Sequence, residues 1–462
     1  MFGNHSGTKE KMRIIIVGCG RVGATIVEQL SKEGNDITII DKDAEVVSSL
    51  TNLYDVLGVV GNGATYSVQM EAGIRNANLF IAVTESDELN LLCCTVAKRV
   101  SNCSAIARVR TPEYSQEASY LKEKLGLAMI INPDLEASKE IAQILALPSA
   151  LEVNSFAHGQ AELIKYKVPA DSMLNDLAIM NLGKTVSQQV LICAIEREGE
   201  VYIPSGNFVI KEGDIITFVA TRKQARKFFI ALGTKVKRVH NTMIIGGGKT
   251  SQYLAEQLLL AGINVKIIEK KKKRCEELSA LLPKAIIING DGTNEDLLRE
   301  EGIETIESFV PLTGIDEENI MLTMYARQVS KAKVITKINH INFKKVINSL
   351  DLGSVIYPRY LTSEAIVAYA RAKKDSLGSN IETLYHLFDS RVEAIEFVVR
   401  PDSKVINIPL MELSLKKNLL IAFINRSGSI IIPTGQDCIC SGDTVMIVTT
   451  HTGFNDINDI LE

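Results

Sequence analysis

The sequence predicts an α/β protein with two doubly wound parallel-sheet domains, each followed by a small α+β domain. Three observations support this fold class. Short apolar runs alternate with amphipathic helical patterns, a glycine-rich turn follows the first run, and an acidic residue closes the second. The same order of features recurs in the second half of the chain, which indicates an internal duplication and not a short-period solenoid.

The first glycine-rich turn, Gly18–Gly23, lies between the apolar run Ile14–Val17 and a helical pattern. In a dinucleotide-binding turn the first glycine permits the bend, the second lets the backbone approach a pyrophosphate, and the third lets the helix pack on the strand. The helix N-terminus attracts phosphate. Asp41, at the tip of the second strand, can accept hydrogen bonds from ribose hydroxyls and disfavours a ribose 2′-phosphate. The sequence therefore predicts a Rossmann-like site for NAD(H), ATP or ADP at Gly18, Cys19, Gly20, Arg21, Val22, Gly23, Asp41 and Lys42.

Six strands are predicted in the first domain, at 13–17, 36–40, 56–60, 79–83, 104–109 and 127–131. Open α/β sheets bind ligands at the carboxyl ends of their parallel strands. Arg108 suits such a place, because a guanidinium can hold a phosphate through two hydrogen bonds. Residues at or near these ends therefore join the predicted site, namely Gly61, Asn62, Ala64, Thr84 and Arg108.

After Pro148 the apolar runs shorten and turn signals multiply, which predicts a small α+β domain. Strands are expected at 161–167, 190–196 and 215–220, with a helix near 173–180. The strands near 190–196 and 420–425 are strongly apolar, so we expect part of this surface to pair between chains in a homo-oligomer.

The second half repeats the first at a nearly constant register. Gly246 lies 228 positions after Gly18, and Glu269 lies 228 positions after Asp41. The predicted second site comprises Gly246, Gly247, Gly248, Lys249, Thr250, Glu269, Asp291 and Thr313. The predicted domains are 13–150 and 239–375, both Rossmann-like, and 151–233 and 376–462, both small and α+β. Residues 1–11 form an extension ahead of the first strand, and Lys235–Arg238 is the expected linker between the halves.

The segment Gly248-Lys249-Thr250 also resembles the end of a phosphate-binding P-loop. That motif requires a glycine five positions before Gly248, where Met243 stands, so we reject this alternative. The basic run Lys270–Arg274 is expected to be a solvated helix start. The alternative is that it attracts anionic ligands or partners to the second site.

Composition narrows the possible functions. The formal net charge is −4 and tryptophan is absent, so we expect no nucleic-acid partner. No apolar stretch approaches the roughly 20 residues that cross a bilayer, and an intracellular, soluble chain is expected. The eight cysteines and six histidines show no metal-ligand spacing, so we expect reduced cysteines and no metal site. Neither His158 nor His386 is expected to be catalytic.

These motifs together resemble the RCK (KTN) family of regulatory domains. The resemblance covers 13–462 and rests on the glycine turns, their acids, Glu71-Ala72-Gly73-Ile74, the run Ala82–Asn90 and the repeated Gly213-Asp214 pattern. It implies adenine nucleotide binding, no catalysis, and a homo-oligomer, expected to be a tetramer that forms a ring of RCK domains. It also implies a cytoplasmic position at the inner face of the membrane, beside a TrkH-like potassium-translocating subunit.

The sequence departs from the family pattern at several positions. Asn62 replaces an acid that Asp291 keeps in the second half. Ser251 replaces the third turn glycine, so the helix there is expected to sit slightly farther from its strand. Pro311 replaces an alanine before the fourth-strand Val-Thr pattern of the family. Lys337 matches Val109 or, with a one-residue slip, Arg108.

Two functions of different class are compatible with the sequence. The first is a nucleotide-sensing regulatory subunit that gates a membrane potassium transporter or channel. The alternative is an NAD-dependent dehydrogenase, which requires a proton relay and an anion clamp near the nicotinamide. The small domain 151–233 repeats turn residues instead of candidate acids or bases, which favours the regulatory function.

Overall fold

The computed structural model describes residues 11–157, 160–186, 190–233, 239–339, 347, 350, 352–374, 380–388 and 391–462. Within these residues there are two parallel and two antiparallel sheets. The extension up to residue 10, the expected linker Lys235–Arg238 and His158 lie outside the described residues.

The first six strands form one parallel sheet. They are β1 (Arg13–Val17), β2 (Asp36–Asp41), β3 (Leu57–Val60), β4 (Leu79–Ala82), β5 (Ser104–Arg108) and β6 (Met129–Ile131). The sheet order is β3-β2-β1-β4-β5-β6, and it reverses between β1 and β4, where doubly wound sheets bind ligands. The helices between the strands are α1 (Arg21–Lys32), α2 (Ala44–Leu53), α3 (Tyr66–Glu71), α4 (Asp87–Val100), α5 (Pro112–Gln116) and α6 (Ala118–Leu125), with a 3₁₀ turn at Ile74–Asn76.

Helix α7 (Pro133–Ala146) leads to the first small sheet. Its strands are β7 (Glu152–Phe156), β8 (Ala161–Lys167), β9 (Leu191–Arg197), β10 (Glu200–Tyr202) and β11 (Ile215–Ala220), antiparallel in the order β10-β9-β11-β8-β7. A 3₁₀ helix (Ile179–Asn181), α8 (Leu182–Thr185) and α9 (Arg222–Ala231) complete this part.

The second half repeats both sheets. The parallel strands are β12 (Asn241–Ile245), β13 (Asn264–Glu269), β14 (Ile286–Asn289), β15 (Ser308–Pro311), β16 (Lys333–Lys337) and β17 (Ser354–Ile356), in the order β14-β13-β12-β15-β16-β17. Their helices are α10 (Lys249–Leu260), α11 (Lys272–Leu281), α12 (Glu295–Glu300) and α13 (Asp316–Val329), followed by α14 (Pro358–Lys374). The predicted duplicated α/β fold is thereby confirmed.

The last sheet is antiparallel, like the first small sheet. Its strands are β18 (Ile381–Leu387), β19 (Val392–Val398), β20 (Leu419–Arg426), β21 (Ser429–Ile431) and β22 (Thr444–Thr449), in the order β18-β19-β22-β20-β21. Two 3₁₀ helices, Leu410–Glu412 and Ile457–Ile460, accompany it.

The helix expected near 173–180 is wrong. That segment forms turns, and helical backbone begins only at Ile179. Asp176 adopts a left-handed φ of +60°, and its amide donates to the Ile210 carbonyl at 2.8 Å. A non-glycine residue in this region and an amide committed to another segment both interrupt an α-helical hydrogen-bond ladder.

Each half exchanges one helix with the other. The chain divides into two compact units, residues up to 133 with 359–379, and 134–358 with 380–462. In the first unit, Arg371 of α14 forms a buried ion pair with Glu33, and Tyr369 donates to Ser104 at 2.9 Å. In the second unit, α7 is hydrogen-bonded to α10. The predicted domain boundaries stay a prediction, and the exchange was not expected from the sequence.

The two small sheets share one apolar core in the second unit. Buried side chains from both sheets belong to it, including Phe156, Cys193, Val219, Phe423 and Met446. The apolar strands near 190–196 and 420–425 therefore bury this surface within one chain. The expectation that they pair between chains is corrected on this ground, because burial already satisfies their side chains.

A buried carboxylate closes each small sheet. Asp214 accepts two hydrogen bonds from Arg197, both at 2.7 Å, and one from the Lys211 amide at 2.8 Å. Asp443 makes the same set of contacts with Arg426 and the Cys440 amide. This explains why the Gly-Asp pattern repeats, since the carboxylate ties a turn to a strand.

We expect Asp214→Ala to lower the free energy of unfolding by about 2–4 kcal/mol, because it leaves the arginine and the Lys211 amide without their acceptor. Chemical denaturation of the full chain measures this. Asp171→Ala, which removes an exposed carboxylate of the same domain, is the control and should change little. Equal stability of the two variants would contradict the structural role of Asp214.

Candidate functional site

The three glycines of the first turn have different surroundings. Gly18 has a φ of +88°, and a Cβ there would lie 2.7 Å from the Thr84 amide nitrogen. A Cβ on Gly23 would lie 2.0 Å from the Gly18 carbonyl oxygen. The fold therefore requires both residues to be glycine.

The middle glycine is not required by the fold. A Cβ on Gly20 would meet no atom within 4 Å, and its backbone is extended with φ −64°. Gly248 in the second turn has the same open surroundings and an extended φ of −68°. Both glycines immediately precede helices that have no side-chain cap at the N-terminus, so space and amide donors coincide there.

An acid at the end of the second strand holds each turn. Asp41 accepts from the Cys19 amide at 2.6 Å and from the Asp43 amide at 3.0 Å. Glu269 accepts from the Gly247 amide at 2.6 Å and from the Lys271 amide at 2.7 Å. The acids predicted from the sequence thus lie against the glycine turns in both halves. Each carboxylate oxygen keeps a further lone pair that could accept from a ribose hydroxyl.

The loop after the third strand approaches the first turn. Gly61 donates to the Asp41 carbonyl at 2.8 Å, and a Cβ on Gly63 would lie 2.3 Å from Val17. The Asn62 side chain accepts from the Ala64 amide at 3.1 Å. The predicted residues Gly61, Asn62 and Ala64 therefore form a compact turn beside Asp41.

The Asn90 side chain connects the ends of β4 and β5, and this role was not predicted from the sequence. Its side chain accepts from the amide and hydroxyl of Thr84, both at 2.7 Å, and donates to the Arg108 carbonyl at 2.9 Å. Asn319 makes the equivalent bonds to Thr313 and Lys337. The sequence does contain a signal for this role, because each asparagine lies six positions after its threonine in both halves.

The predicted Arg108 is buried, with 8% of its surface exposed. Its guanidinium donates to the Thr84 carbonyl. Lys337 closes β16 as Arg108 closes β5, and it donates to the Leu312 carbonyl at 3.1 Å. Lys337 therefore corresponds to Arg108 and not to Val109. Each of these two cations reaches the end of the neighbouring strand.

The second turn replaces a glycine by a serine without losing the contact. The Ser251 hydroxyl donates to the Gly246 carbonyl at 2.5 Å, which is the group that Gly23 meets in the first half. The greater distance expected between this helix and its strand stays a prediction.

Two cations of the second site, Lys270 and Arg274, are bound to other groups of the protein. Lys270 pairs with Asp291 at 2.7 Å. The Lys270 ammonium, with help from two hydrogen bonds from Thr293, lowers the pKa of Asp291 to about 2. Arg274 donates to the Gly247 carbonyl at 2.8 Å and to the Gln252 side chain at 3.0 Å. The expectation of a solvated helix start is therefore wrong for Arg274, since this residue folds back onto the glycine turn.

The first site has a different charge arrangement. Lys42 corresponds to Lys270, and Asn62 stands where Asp291 would neutralise it. Neither Lys42 nor Arg21 makes a side-chain hydrogen bond or ion pair with a described residue. The first site therefore presents two exposed cations that have no ion-pair partner among the described residues.

The described thiols and imidazoles are buried, half-buried or paired instead of clustered. Burial raises the pKa of Cys19 and of Cys93 to about 12, so both are neutral thiols at physiological pH. His386 lies 3.4 Å from Glu393. In the described part of the chain, no cluster of histidine, cysteine and acidic residues could hold a metal ion.

Two domain profiles each match the chain twice. The TrkA-N domain matches residues 14–133 and 242–358, and the TrkA-C domain matches residues 163–233 and 394–462. The Trk system potassium uptake protein TrkA homolog 1 of Methanosarcina mazei is 30% identical over 454 residues, which are 96% of this chain and 99% of that protein. TrkA of Haemophilus influenzae is 31% identical over 443 residues, 94% of this chain and 95% of that protein.

Solved structures show the same fold. The RCK domain of GsuK has a TM-score of 0.62 at 16% identity, over 95% of this chain and 92% of that one. The GsuK channel bound to NAD has a TM-score of 0.62 at 15% identity, over 95% and 77%. The chain thus has the fold of RCK domains, with the glycine turn repeated in its two halves. The profile matches and the relatives place it further: the chain belongs to the TrkA family.

The relatives are named as potassium uptake proteins, not as enzymes. The prediction that the chain is not an enzyme is thereby confirmed, and the dehydrogenase alternative is set aside. Among the described helices, none is both long enough and apolar enough to traverse a bilayer.

We expect Gly23→Ala to destabilise the protein by about 3 kcal/mol or more, because its Cβ would overlap the Gly18 carbonyl. Gly20→Ala should change stability by less than about 1 kcal/mol, because its Cβ enters open space. Denaturant unfolding of both variants measures the difference. Similar losses in both would show that the fold, and not a ligand, requires Gly20.

Proposed function

We propose that this chain is a nucleotide-sensing regulatory subunit that gates a membrane-embedded potassium-translocating partner. The observation that carries the proposal is the open middle glycine of each turn, at Gly20 and Gly248. Apart from the adjacent residues, no protein atom lies within 4 Å of where a Cβ would be at either glycine, so there is space for a ligand at both turns. The relatives of this chain are Trk potassium uptake proteins. A peripheral position at the cytoplasmic face of the membrane is part of the proposal.

The proposed ligands are NAD(H), ATP and ADP. Asp41 and Glu269 lie against the glycine turns, where we propose that the ribose binds, and their charge disfavours a 2′-phosphate. The GsuK channel, which shares the fold, has been solved bound to NAD and bound to ADP. The site residues predicted from the sequence are proposed to surround the ligand in each half.

We propose a supporting role for Arg108 instead of the phosphate clamp expected from the sequence alone. Its buried guanidinium already donates to the Thr84 carbonyl, so it positions the end of β4 beside the glycine turn. The contact with the phosphates is then left to the turn amides and to exposed cations such as Arg21 and Lys42.

A homo-oligomer is also proposed, and repeated exposed side chains support it. Leu53, Leu57 and Leu92 are more than half exposed, and their repeat counterparts Leu281, Ile286 and Met321 are too. Apolar side chains exposed at the same places in both halves indicate a surface used twice. A ring of RCK domains, in a tetramer, would use such a surface between chains.

We expect the double variant Leu57→Asp and Ile286→Asp to dissociate the oligomer, because a carboxylate would have to be desolvated in each contact. Light scattering of the full chain across micromolar concentrations measures this. Leu260→Asp is the matched control, since Leu260 is also exposed but its repeat counterpart is Lys32. A double variant as oligomeric as the control, or a monomeric unmodified chain, would contradict the proposed surface.

The functional test is potassium flux in liposomes that hold the cognate membrane subunit with this protein added. We expect flux to change with NADH, ADP or ATP, and the response to disappear in Gly20→Ala with Gly248→Ala, because the added methyl groups block the phosphates. Gly183→Ala, at an equally open position outside both sites, is the control. Flux that ignored all three nucleotides while the protein stayed bound would refute the proposal.

A further inference from the structure

The exchanged helices α7 and α14 are repeats of each other. Pro133 and Pro358 begin them, and Ser138 and Ser363 follow at the same distance. Both serines are fully buried, and both hydroxyls donate to the carbonyl three residues earlier, at 2.7 and 3.0 Å. The two helices can therefore be compared position by position, and Asp134 corresponds to Arg359.

In the second unit, the beginning of α7 lies at the second glycine turn. Asp134 accepts from the Thr250 hydroxyl at 2.6 Å, and both residues are buried. Farther along, Ser138 accepts from Gln257 at 2.7 Å. Thr250 is the second residue of α10, so a carboxylate from α7 stands beside the helix end where phosphate would bind.

In the first unit, α14 has the equivalent relation to α1. The buried pair of Arg371 and Glu33 joins α14 to the end of α1. Arg359 lies twelve positions before Arg371, and Arg21 lies twelve positions before Glu33. The repeat and this anchor both indicate that Arg359 lies toward the start of α1, in the unit that holds the first glycine turn.

The Arg359 side chain has an unused hydrogen-bond donor that could bind an anionic ligand. Its guanidinium carbon lies 5.0 Å from the Tyr360 ring centroid. Its Nε is buried without a hydrogen-bond partner in the described residues, although a buried guanidinium donor normally has one. Arg21 and Lys42 likewise make no ion pair with a described residue. A polyphosphate would supply the missing acceptors and charge.

We propose that Arg359, carried by a helix of the second half, binds the phosphates of a nucleotide at the first glycine turn. The second turn has Asp134 at that position and repels phosphate there. The two sites thus differ in ligand class: the first takes nucleoside di- and triphosphates, and the second binds them weakly. This inference rests on the proposed nucleotide-binding function.

The test is titration calorimetry of the full chain with ADP and, separately, with adenosine. A Gly248→Ala background closes the second turn, so that the heat reports the first. We expect Arg359→Gln to weaken ADP binding by about 10- to 100-fold, as for loss of a charge-assisted hydrogen bond, and to leave adenosine binding unchanged. Arg359→Lys should lie between, because it keeps the charge but not the two-point contact.

Lys373→Gln, on the same helix but fourteen residues after Arg359, is the matched control and should bind ADP as the parent does. ADP affinity unaltered by Arg359→Gln would overturn the inference. Equal weakening of ADP and adenosine, or loss of the folded state in circular dichroism, would overturn it too, since the residue would then be structural. No ADP binding by the unmodified chain would instead refute the proposed function.

Discussion

Each glycine turn depends on a hydrogen bond between one of its amides and a carboxylate at the end of the next strand, β2 in the first half and β13 in the second. Asp41 reaches Cys19, and Glu269 reaches Gly247, each at 2.6 Å. The bond fixes the turn before any ligand arrives, and the middle glycine is left facing open space. A preformed turn spares the ligand the entropy of ordering it, which is why an acid here serves both fold and binding.

The same frame carries opposite charge arrangements in the two halves. In the second half, Lys270 has Asp291, Arg274 has the Gly247 carbonyl and the Gln252 amide, and Thr250 has Asp134. In the first half, Asn62 and Arg359 stand where the two acids would be. The first and middle glycines of the turn and an acid that holds it recur in both halves, whereas the charged residues around the turn differ. The charged groups around the second turn are thus held by other groups of the protein.

The first parallel sheet could be predicted closely because the ends of its first strands coincide with a glycine or an acidic residue, as at Gly18, Asp41 and Gly61. The predicted strand 13–17 matches β1 of the first parallel sheet, and in the antiparallel sheet that follows, the predicted strand 161–167 matches β8. The prediction of a helix near 173–180 was wrong because this segment forms turns, in which Asp176 adopts the left-handed backbone conformation. The acids and glycines of the site followed from spacing. The contacts of Arg274 and Asp134, and the role proposed for Arg359, did not, because each side chain lies on a helix whose packing partner no local pattern reveals.

If a nucleotide binds at the first turn as proposed, the helix exchange gives that binding a mechanical consequence. Helix α14 follows directly on β17 of the second sheet, yet it is anchored on the first unit by Arg371 and Tyr369. If a phosphate bound at the first turn attracts the Arg359 guanidinium, the ligand stabilises those positions of α14 in which Arg359 lies closest to the phosphate. The free energy available equals the difference in nucleotide affinity between two positions of that helix. Linkage then works in both directions: a membrane partner that favours one position of α14 must change nucleotide affinity at the first turn by the same factor.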